Sequence, residues 1–412
     1  MKRHVLTYGV ALSIVVGSVG LGLQSRGVSA APPEAAALSA KPALGDGPAE
    51  ARYAWYLFIQ AMTPSSGPGG PLAFESWTEQ CQLNPAMIGC PSGAAAQAKG
   101  RLLHGSALAK KSSFAKAAAA VPGIECNPMA QGKVGSYPVP ANVAPNASFC
   151  EEVFVNPAES AFVTQNGLTT LSGQQKYGST QGGAITFPWE AVEIKADWVP
   201  VSSYLPGKTF ACPDPTGSLY TETINGTCYA LVGFHISSKV LPDWLWATFE
   251  PNSSITNPNR CDPKLYNSCF DPWGTTSSQP YSKGQPVPPQ SQQLKAAMAA
   301  AGLNKAFNNY YLTGTQTQFV SNGKPIGMGN SFVEFNAQVP PGQASCITCH
   351  RYAYFDGKKP APGNPEDNFG GAPSGWPNVG YACNKNQTAN CTPVVPNSTS
   401  QDFSWMLGLM PY

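Results

Sequence analysis

The sequence is poor in charged residues and in histidine. Only 12% of its 412 residues are Asp, Glu, Lys or Arg, and it contains 4 histidines, whereas about 25% of the residues in an average globular protein are charged. The 25 Lys and Arg residues nearly balance the 23 Asp and Glu residues. The chain therefore lacks the excess of positive charge that binding to nucleic acid or to an anionic membrane surface requires.

Long apolar runs are missing after the N-terminus. At the N-terminus itself, Lys2 and Arg3 precede an apolar run over 5–23, and Val28-Ser29-Ala30 supplies the small residues of a cleavage site. The run is short and interrupted by glycine, which favours a Sec-type signal peptide over a membrane anchor. We expect cleavage near Ala30, export to the periplasm or otherwise out of the cytoplasm, and a mature chain without a membrane span.

Cysteine is abundant, with 12 in the chain, and ten of these fall into five neighbouring pairs. In an exported protein such an even set predicts disulfide bonds. Zinc sites are less compatible, because the pairs lack the two-residue spacing and companion histidines of such sites. The simplest pairing joins neighbours along the chain: Cys81/Cys90, Cys126/Cys150, Cys212/Cys228, Cys261/Cys269 and Cys383/Cys391.

Composition divides the chain into four parts. After the signal peptide (1–30), the Ala/Pro/Gly-rich segment 31–48 is typical of a disordered leader. Region 49–150 is predicted to be helical and irregular, with helices over 50–62 and 94–120. Region 151–412 is predicted to be rich in β-strands and loops, with a short helix at 291–302. The fold class that follows is α+β, mainly antiparallel β, and stapled by disulfides.

Strands of the second region alternate between apolar and polar residues. In "AVEIKADW", Val192, Ile194, Ala196 and Trp198 share one face, and Glu193, Lys195 and Asp197 form a charged outer or cavity-facing side. In "TCYALVGFHISS", the face of Val232, Phe234 and Ile236 lies opposite to that of Leu231, Gly233 and His235. Segments 244–250 and 331–339 alternate in the same way. Period-two alternation predicts half-buried strands.

The most specific motif is Cys346-Ile347-Thr348-Cys349-His350. The C-x-x-C-H spacing is that of covalent haem attachment, in which two thiols hold the haem and the adjacent histidine becomes the proximal iron ligand. A redox-active or structural disulfide is the alternative. A single motif predicts one haem c in the second region, with Cys346, Cys349 and His350 as its attachment site.

A bound haem would need an apolar wall, and its iron has a sixth position. Wall candidates are Tyr352, Tyr354, Phe355, Phe369 and the Trp-rich strand 244–249. The sixth position could be open or could be occupied by a histidine or a methionine.

Three methionines and two histidines of the mature chain are candidate iron ligands. His235, opposite an apolar strand face, is the preferred candidate for a distal ligand. His104 belongs to an Ala/Lys-rich segment typical of a surface helix. Met328, Met406 and Met410 flank the haem motif in the sequence.

The motif resembles the attachment site of c-type cytochromes and of exported proteins grouped only as a cytochrome c family. Over 185–250 and 340–408 the segments "TFPWEAVEIKADW", "GFHISSK", "WLWATFEP", "SCITCHRYA" and "DFSWML" follow one another. This order also resembles that of the β-sheet cytochromes c-prime and their lysine-cross-linked, hydroxylamine-oxidising relatives. The resemblance implies an antiparallel sheet, one haem near the C-terminus and a distal side open to small nitrogen oxides. Lys195 and Lys239 are both candidates for the cross-linking lysine. The chain differs in its added N-terminal third and its many cysteines.

Three functions remain open at this point. The first is a periplasmic cytochrome that transfers single electrons to or from a redox partner protein. The second is a haem enzyme or ligand binder for a small-molecule substrate, with Lys195, Glu193, His235 and Arg351 as candidate catalytic residues. The third is a disulfide-stapled extracellular binding or structural domain without an important haem.

Overall fold

The structure is a computed structural model. It describes residues 37–87, 90, 103, 126–128, 133–134, 137–138, 148–203, 211–252, 269–281, 286–322, 324–337, 339, 344–351, 353–355, 381–382, 392–393 and 399–411. The predicted signal peptide, the predicted helix over 94–120 apart from Leu103, and His104, Tyr352 and Phe369 lie outside these residues.

Antiparallel pairing dominates the described strands. They are β1 (Thr78–Glu79), β2 (Asn127–Pro128), β3 (Lys133–Val134), β4 (Tyr137–Pro138), β5 (Ser148–Val155), β6 (Val192–Pro200), β7 (Thr221–Ile224), β8 (Thr227–Ser238), β9 (Leu245–Pro251), β10 (Tyr310–Gln316), β11 (Val320–Ser321), β12 (Lys324–Pro325), β13 (Tyr354–Phe355), β14 (Tyr381–Ala382), β15 (Thr392–Pro393) and β16 (Thr399–Ser400). The central sheet has the order β1-β5-β6-β8-β9-β10. In addition, β2 pairs with β5, and β7 pairs with β8. The predicted α+β class with a largely antiparallel β core is confirmed.

Helices lie on both sides of this sheet. They are α1 (Gly47–Met62), α2 (Gln80–Leu83), α3 (Pro157–Gln165), α4 (Leu171–Thr180), α5 (Gln292–Ala300), α6 (Val333–Asn336), α7 (Cys346–Arg351) and α8 (Trp405–Gly408). The helices predicted over 50–62 and 291–302 are confirmed as α1 and α5. None of the helices in the described part of the chain combines the length and the apolarity that a bilayer crossing needs.

Helix α1 covers one face of the sheet. The Asp46 side chain caps the helix by accepting a hydrogen bond from the Ala49 amide, and a proline lies in the first turn, where its missing N–H costs nothing. Phe58 is fully buried, with its ring 4.5 Å from that of Phe249 and 5.8 Å from that of Phe234. This sheet face, which we call the core face, carries the largest hydrophobic cluster of the described residues.

The described part of the N-terminal region packs against the β-rich region. Helix α1 packs on β8, β9 and β10, and the boundary predicted at residue 150 falls inside β5. Of the predicted leader, residues 37–48 are described. Arg52 of α1 donates hydrogen bonds to the carbonyls of Ala37, Leu38 and Ala40, so residues 37–40 lie against the helix.

The face predicted for Leu231 was wrong. Asp197 pairs with Gly233, but the next residue, Trp198, pairs with Leu231. The extra residue in β8 forms a bulge. Residues of the strand before the bulge therefore lie on the face opposite to the one that the alternation predicts. Leu231 therefore belongs to the core-face cluster together with Phe234, while His235, beyond the bulge, keeps its predicted face.

The strand predicted over 331–339 was also wrong, because α6 occupies part of this segment. The Asn330 side chain accepts hydrogen bonds from the backbone amides of Phe332 and Val333. A side-chain acceptor before the first turn stabilises a helix start, and the alternation of four or five residues is too short to indicate a strand reliably.

Disulfides follow the nearest-neighbour prediction wherever both cysteines are described. The bonds are Cys81–Cys90, Cys126–Cys150 and Cys212–Cys228. Cys269 is also disulfide-bonded, while Cys261 and the predicted pair Cys383/Cys391 lie outside the described residues.

Candidate functional site

The sheet face opposite to α1, which we call the cleft face, forms one wall of a cleft. Strands β5, β6, β8 and β9 contribute to this wall, and α6, α7 and α8 supply much of the remaining lining. The space in the cleft, including the part open to solvent, is about 1050 Å³.

The C-x-x-C-H motif forms α7 on the edge of this cleft. Gln316 of β10 holds the start of the helix, because its side chain accepts a hydrogen bond from the Ile347 amide (3.1 Å) and donates one to the Ser345 hydroxyl (3.0 Å). Cys346, Cys349 and His350 all line the cleft. The motif is thus anchored to the sheet, with its three chemical groups on the cleft side.

Both thiols of the motif are free. Burial raises the pKa of the Cys349 thiol to about 12 and that of Cys346 well above its ordinary value, so both are neutral thiols. The other cysteines among the described residues are all disulfide-bonded. Cys346 and Cys349 therefore differ in chemical state from the rest of the described set.

His350 is held at one ring nitrogen. Its Nδ1 lies 2.8 Å from the Phe403 carbonyl oxygen, and its ring centroid lies 4.3 Å from that of Trp246. Burial lowers the pKa of His350 to about 3, in spite of the Phe403 carbonyl, which raises it. A neutral ring that donates from Nδ1 keeps the lone pair of Nε2 available, which is the usual arrangement of a metal-bound histidine.

The charged side of β6 is turned into the cleft. The Lys195 Nζ atom lies 3.2 Å from the Glu151 Oε2 atom on β5. Burial raises the pKa of Asp197, and the nearby carboxylates of Glu151 and Asp197 raise that of Lys195 against the opposing effect of burial. Of the two orientations predicted for this side, outer or cavity-facing, the structure has the cavity-facing one.

His235 lies next to Lys195 on the same wall, as its cross-strand partner on β8. Its Nε2 atom is buried without a hydrogen-bond partner among the described residues and lies 3.7 Å from the Glu334 Oε1 atom of α6. Burial, and then the charge of Lys195, lower the pKa of His235 to about 3, while burial raises that of Glu334 to about 8. A neutral imidazole thus faces a carboxyl group that gains a proton easily.

The Cys346 thiol completes a group of three potential metal ligands. Ligand atoms of His235, Glu334 and Cys346 lie within 4.8 Å of one another. Histidine nitrogen, carboxylate oxygen and thiolate are all zinc ligands. Use of Cys346 as a thiolate ligand would exclude its use in a thioether bond, so the two chemistries compete for this cysteine.

Several predicted candidates lie elsewhere. Arg351 follows the motif but is absent from the cleft lining, with its guanidinium 4.8 Å from the ring of Phe403. Lys239 is bound to Asp402 at 2.6 Å, which leaves Lys195 as the lysine that lines the cleft. Of the three methionine candidates, Met406 lines it and Met328 and Met410 do not.

The predicted aromatic wall is represented in the cleft lining by Trp246. Tyr354 and Phe355 form β13, outside the lining.

Other lining residues were not predicted. Glu151 lies on β5, whose segment "SFCEEVFV" alternates enough to have indicated a strand. Glu334 was placed on a strand and lies on a helix. Trp405 and Leu409 belong to the C-terminal segment, whose position over the cleft no local pattern indicates.

Comparison of the chain with models of protein families, with curated proteins and with solved structures finds no match.

Proposed function

We propose that this chain is an exported monohaem c-type cytochrome that transfers single electrons. The observation that carries the proposal is the pair of free thiols of Cys346 and Cys349, next to His350 on one cleft-lining helix. In an exported chain whose other described cysteines are oxidised, two thiols three residues apart need a different use, and thioether bonds to haem vinyl groups provide one.

The residues of the cleft fit a haem c. Cys346 and Cys349 would hold it covalently, and His350 would be the proximal iron ligand through Nε2, since Nδ1 is used by the Phe403 carbonyl. Trp246, Met406 and other apolar residues supply part of the wall. The haem iron supplies a centre that gains and loses one electron. The protein side keeps water away and holds the imidazole in one orientation.

His235 and Met406 are the described candidates for the sixth iron ligand that line the cleft. His235 is favoured, because its Nε2 atom has no hydrogen-bond partner among the described residues and its ring is neutral. A six-coordinate iron suits electron transfer, and the redox partner would be another protein. The export on which haem attachment depends rests on the predicted signal peptide; the disulfides are compatible with it.

The attachment proposal is tested by a double substitution, Cys346→Ala with Cys349→Ala. We expect secreted protein without covalent haem, measured as haem absorbance that migrates with the chain on a denaturing gel. The matched control, Cys81→Ala with Cys90→Ala, removes two cysteines that form a disulfide outside the motif, and this variant should keep the haem. Covalent haem in the first variant, or its absence from wild-type protein produced with a haem-attachment system, would contradict the proposal. Stoichiometric zinc in haem-free wild-type protein would instead support a metal site at Cys346.

A second function is favoured by the ionisable wall of the cleft. Lys195, His235 and Glu193 line it, and such groups would move protons to and from a small polar substrate, such as a nitrogen oxide, at an open iron position. In that function the chain is an oxidoreductase, Lys195 is a proton donor at Nζ, and His235 is an acceptor at Nε2.

Absorption and electron-paramagnetic spectra, with and without carbon monoxide, distinguish the two functions. Electron transfer predicts a six-coordinate iron that does not bind carbon monoxide, and His235→Ala should open the site. Ready binding of carbon monoxide by the wild-type protein would favour the enzyme. An unchanged six-coordinate spectrum in His235→Ala would eliminate His235 as the ligand.

A further inference from the structure

A second group of acids lies beside the cleft. Glu159 is on α3, is fully buried, and has its amide capped by the Asn156 side chain. No N–H or hydroxyl donor in the described part of the chain forms a hydrogen bond of good geometry with either oxygen of its carboxyl. An ionised carboxylate in such a place is strongly unfavourable, so the Glu159 carboxyl must hold a proton.

The neighbour with which Glu159 can share that proton is Glu193. The two carboxyls are close enough to hydrogen-bond when one of them is protonated. Glu193 also accepts a hydrogen bond from the Ser404 hydroxyl, and it lines the cleft. Through Glu193, the pair therefore borders the space in which the motif lies.

Charges around the pair are mostly negative. Burial raises the pKa of both carboxyls, and the charge of Asp402 raises both further. The charge of Lys195 lowers the pKa of Glu193. Asp402 is itself bound to Lys239 at 2.6 Å and accepts a hydrogen bond from the Phe187 amide. Lys195 and Lys239 each have a closer carboxylate partner, so neither of these two cations is paired with the two glutamates. The negative charge of the pair therefore depends on positive charge elsewhere in the cleft.

We propose that the Glu159–Glu193 pair is a proton-binding site that takes up one proton when the cleft cofactor gains one electron. This inference rests on the proposed function. In the oxidised protein the pair holds one proton between two carboxyls. Reduction removes one positive charge from the cleft, which raises the proton affinity of the nearby pair, and one proton enters from solvent. The sum is one electron from the redox partner and one proton from water, with no bond broken in the chain.

The test is the midpoint potential of the haem-loaded protein as a function of pH. One proton per electron predicts a fall of about 59 mV per pH unit, the one-electron equivalent of a tenfold change. Glu159→Gln with Glu193→Gln keeps the shapes and a hydrogen bond between the side chains, and it should make the potential independent of pH over the same range. The control Glu190→Gln removes an exposed carboxylate just before the same strand and should keep the wild-type slope.

A flat wild-type profile, or a slope that persists in the double variant, would overturn the proposal. Failure to attach haem would contradict the proposed function instead. The Glu159–Glu193 pair can then be examined in haem-free protein. In the haem-free Cys346→Ala, Cys349→Ala protein, the infrared spectrum at pH 7 should contain a band of a protonated carboxyl that Glu159→Gln removes. Absence of that band would show that the pair holds no shared proton, and would also overturn the proposal.

Discussion

The two faces of the central sheet are built from alternate residues of the same strands, yet they differ in chemistry. Ala196, Phe234 and Phe249 form a row on the core face, and Lys195, His235 and Thr248 form the adjacent row on the cleft face. The first row packs under α1 without a charge. The second brings ionisable groups into a buried space, which is unfavourable unless they are paired.

This difference indicates a division of roles. The core face buries aromatic rings that stabilise the fold at any pH, and the cleft face holds groups whose charge depends on pH and on their neighbours. Substitutions on the two faces should lower the free energy of unfolding by similar amounts. The loss should vary with pH for the cleft face and not for the core face.

The largest effect is expected from Phe58→Ala on the core face. The substitution removes a fully buried ring that contacts Phe234, Phe249 and Phe307, and it should lower the free energy of unfolding by about 3–5 kcal/mol. Urea unfolding followed by circular dichroism measures this loss. It should be the same at pH 5 and pH 8, and Phe58→Leu should lose less. A loss below about 1 kcal/mol would contradict the assigned core face.

A somewhat smaller effect, dependent on pH, is expected from Lys195→Met on the cleft face. Without this ammonium group the pKa of Asp197, already raised by burial, rises further. The folded variant then binds a proton more tightly than the unfolded chain, whose aspartates titrate near pH 4. Its stability therefore falls as pH rises above about 4.

At pH 8 the loss caused by Lys195→Met should reach about 3 kcal/mol, the usual cost of breaking a buried ion pair. Urea unfolding at pH 4 and pH 8 measures the difference. The control Lys176→Met, at an exposed lysine of α4, should change stability by less than about 0.5 kcal/mol at either pH. An equal loss for Lys195→Met at both values would show that the cleft face behaves like the core face.

An effect confined to one pH window is expected for Asp243, a buried carboxyl in the connection between β8 and β9. Burial raises the pKa of this carboxyl to about 7, although Arg351 and Lys239 lower it. Between about pH 4 and pH 7 the folded state binds the proton that the unfolded chain has lost, so wild-type stability falls as pH rises.

Asp243→Asn removes that dependence. The stability of the variant relative to the wild type should rise by up to about 1.4 kcal/mol for each pH unit within this window and stay constant above it. Urea unfolding at half-unit steps of pH tests this. A difference that does not change between pH 4 and pH 7 would mean that the Asp243 carboxyl is solvated in the folded protein.

Period-two alternation predicted both faces of β6 from the sequence, because the side chains of a strand must point to opposite sides. It also predicted the face of His235, which lies beyond the bulge. It failed for Leu231, since a bulge adds one residue without changing the local pattern. It failed for 331–339, where the cap formed by Asn330 decides the structure through a side-chain contact.

The site was predictable only in part. The spacing of Cys346, Cys349 and His350 identifies the motif by itself, and local pairing predicted the disulfides that are described. The carbonyl of Phe403 at His350 and the carboxyl of Glu159 behind Glu193 depend on contacts between segments 53 and 34 residues apart, and no local pattern encodes such contacts.

Peptide mass spectrometry of the purified protein decides whether Cys346 and Cys349 carry a covalent haem. After proteolysis without reduction, we expect the peptide containing Cys346–His350 to carry the mass of one haem. The peptides of Cys81–Cys90, Cys126–Cys150 and Cys212–Cys228 should appear as disulfide-linked species. A Cys346–Cys349 peptide with two free thiols, or with a disulfide between them, in protein produced with a haem-attachment system would rule out the proposed covalent haem.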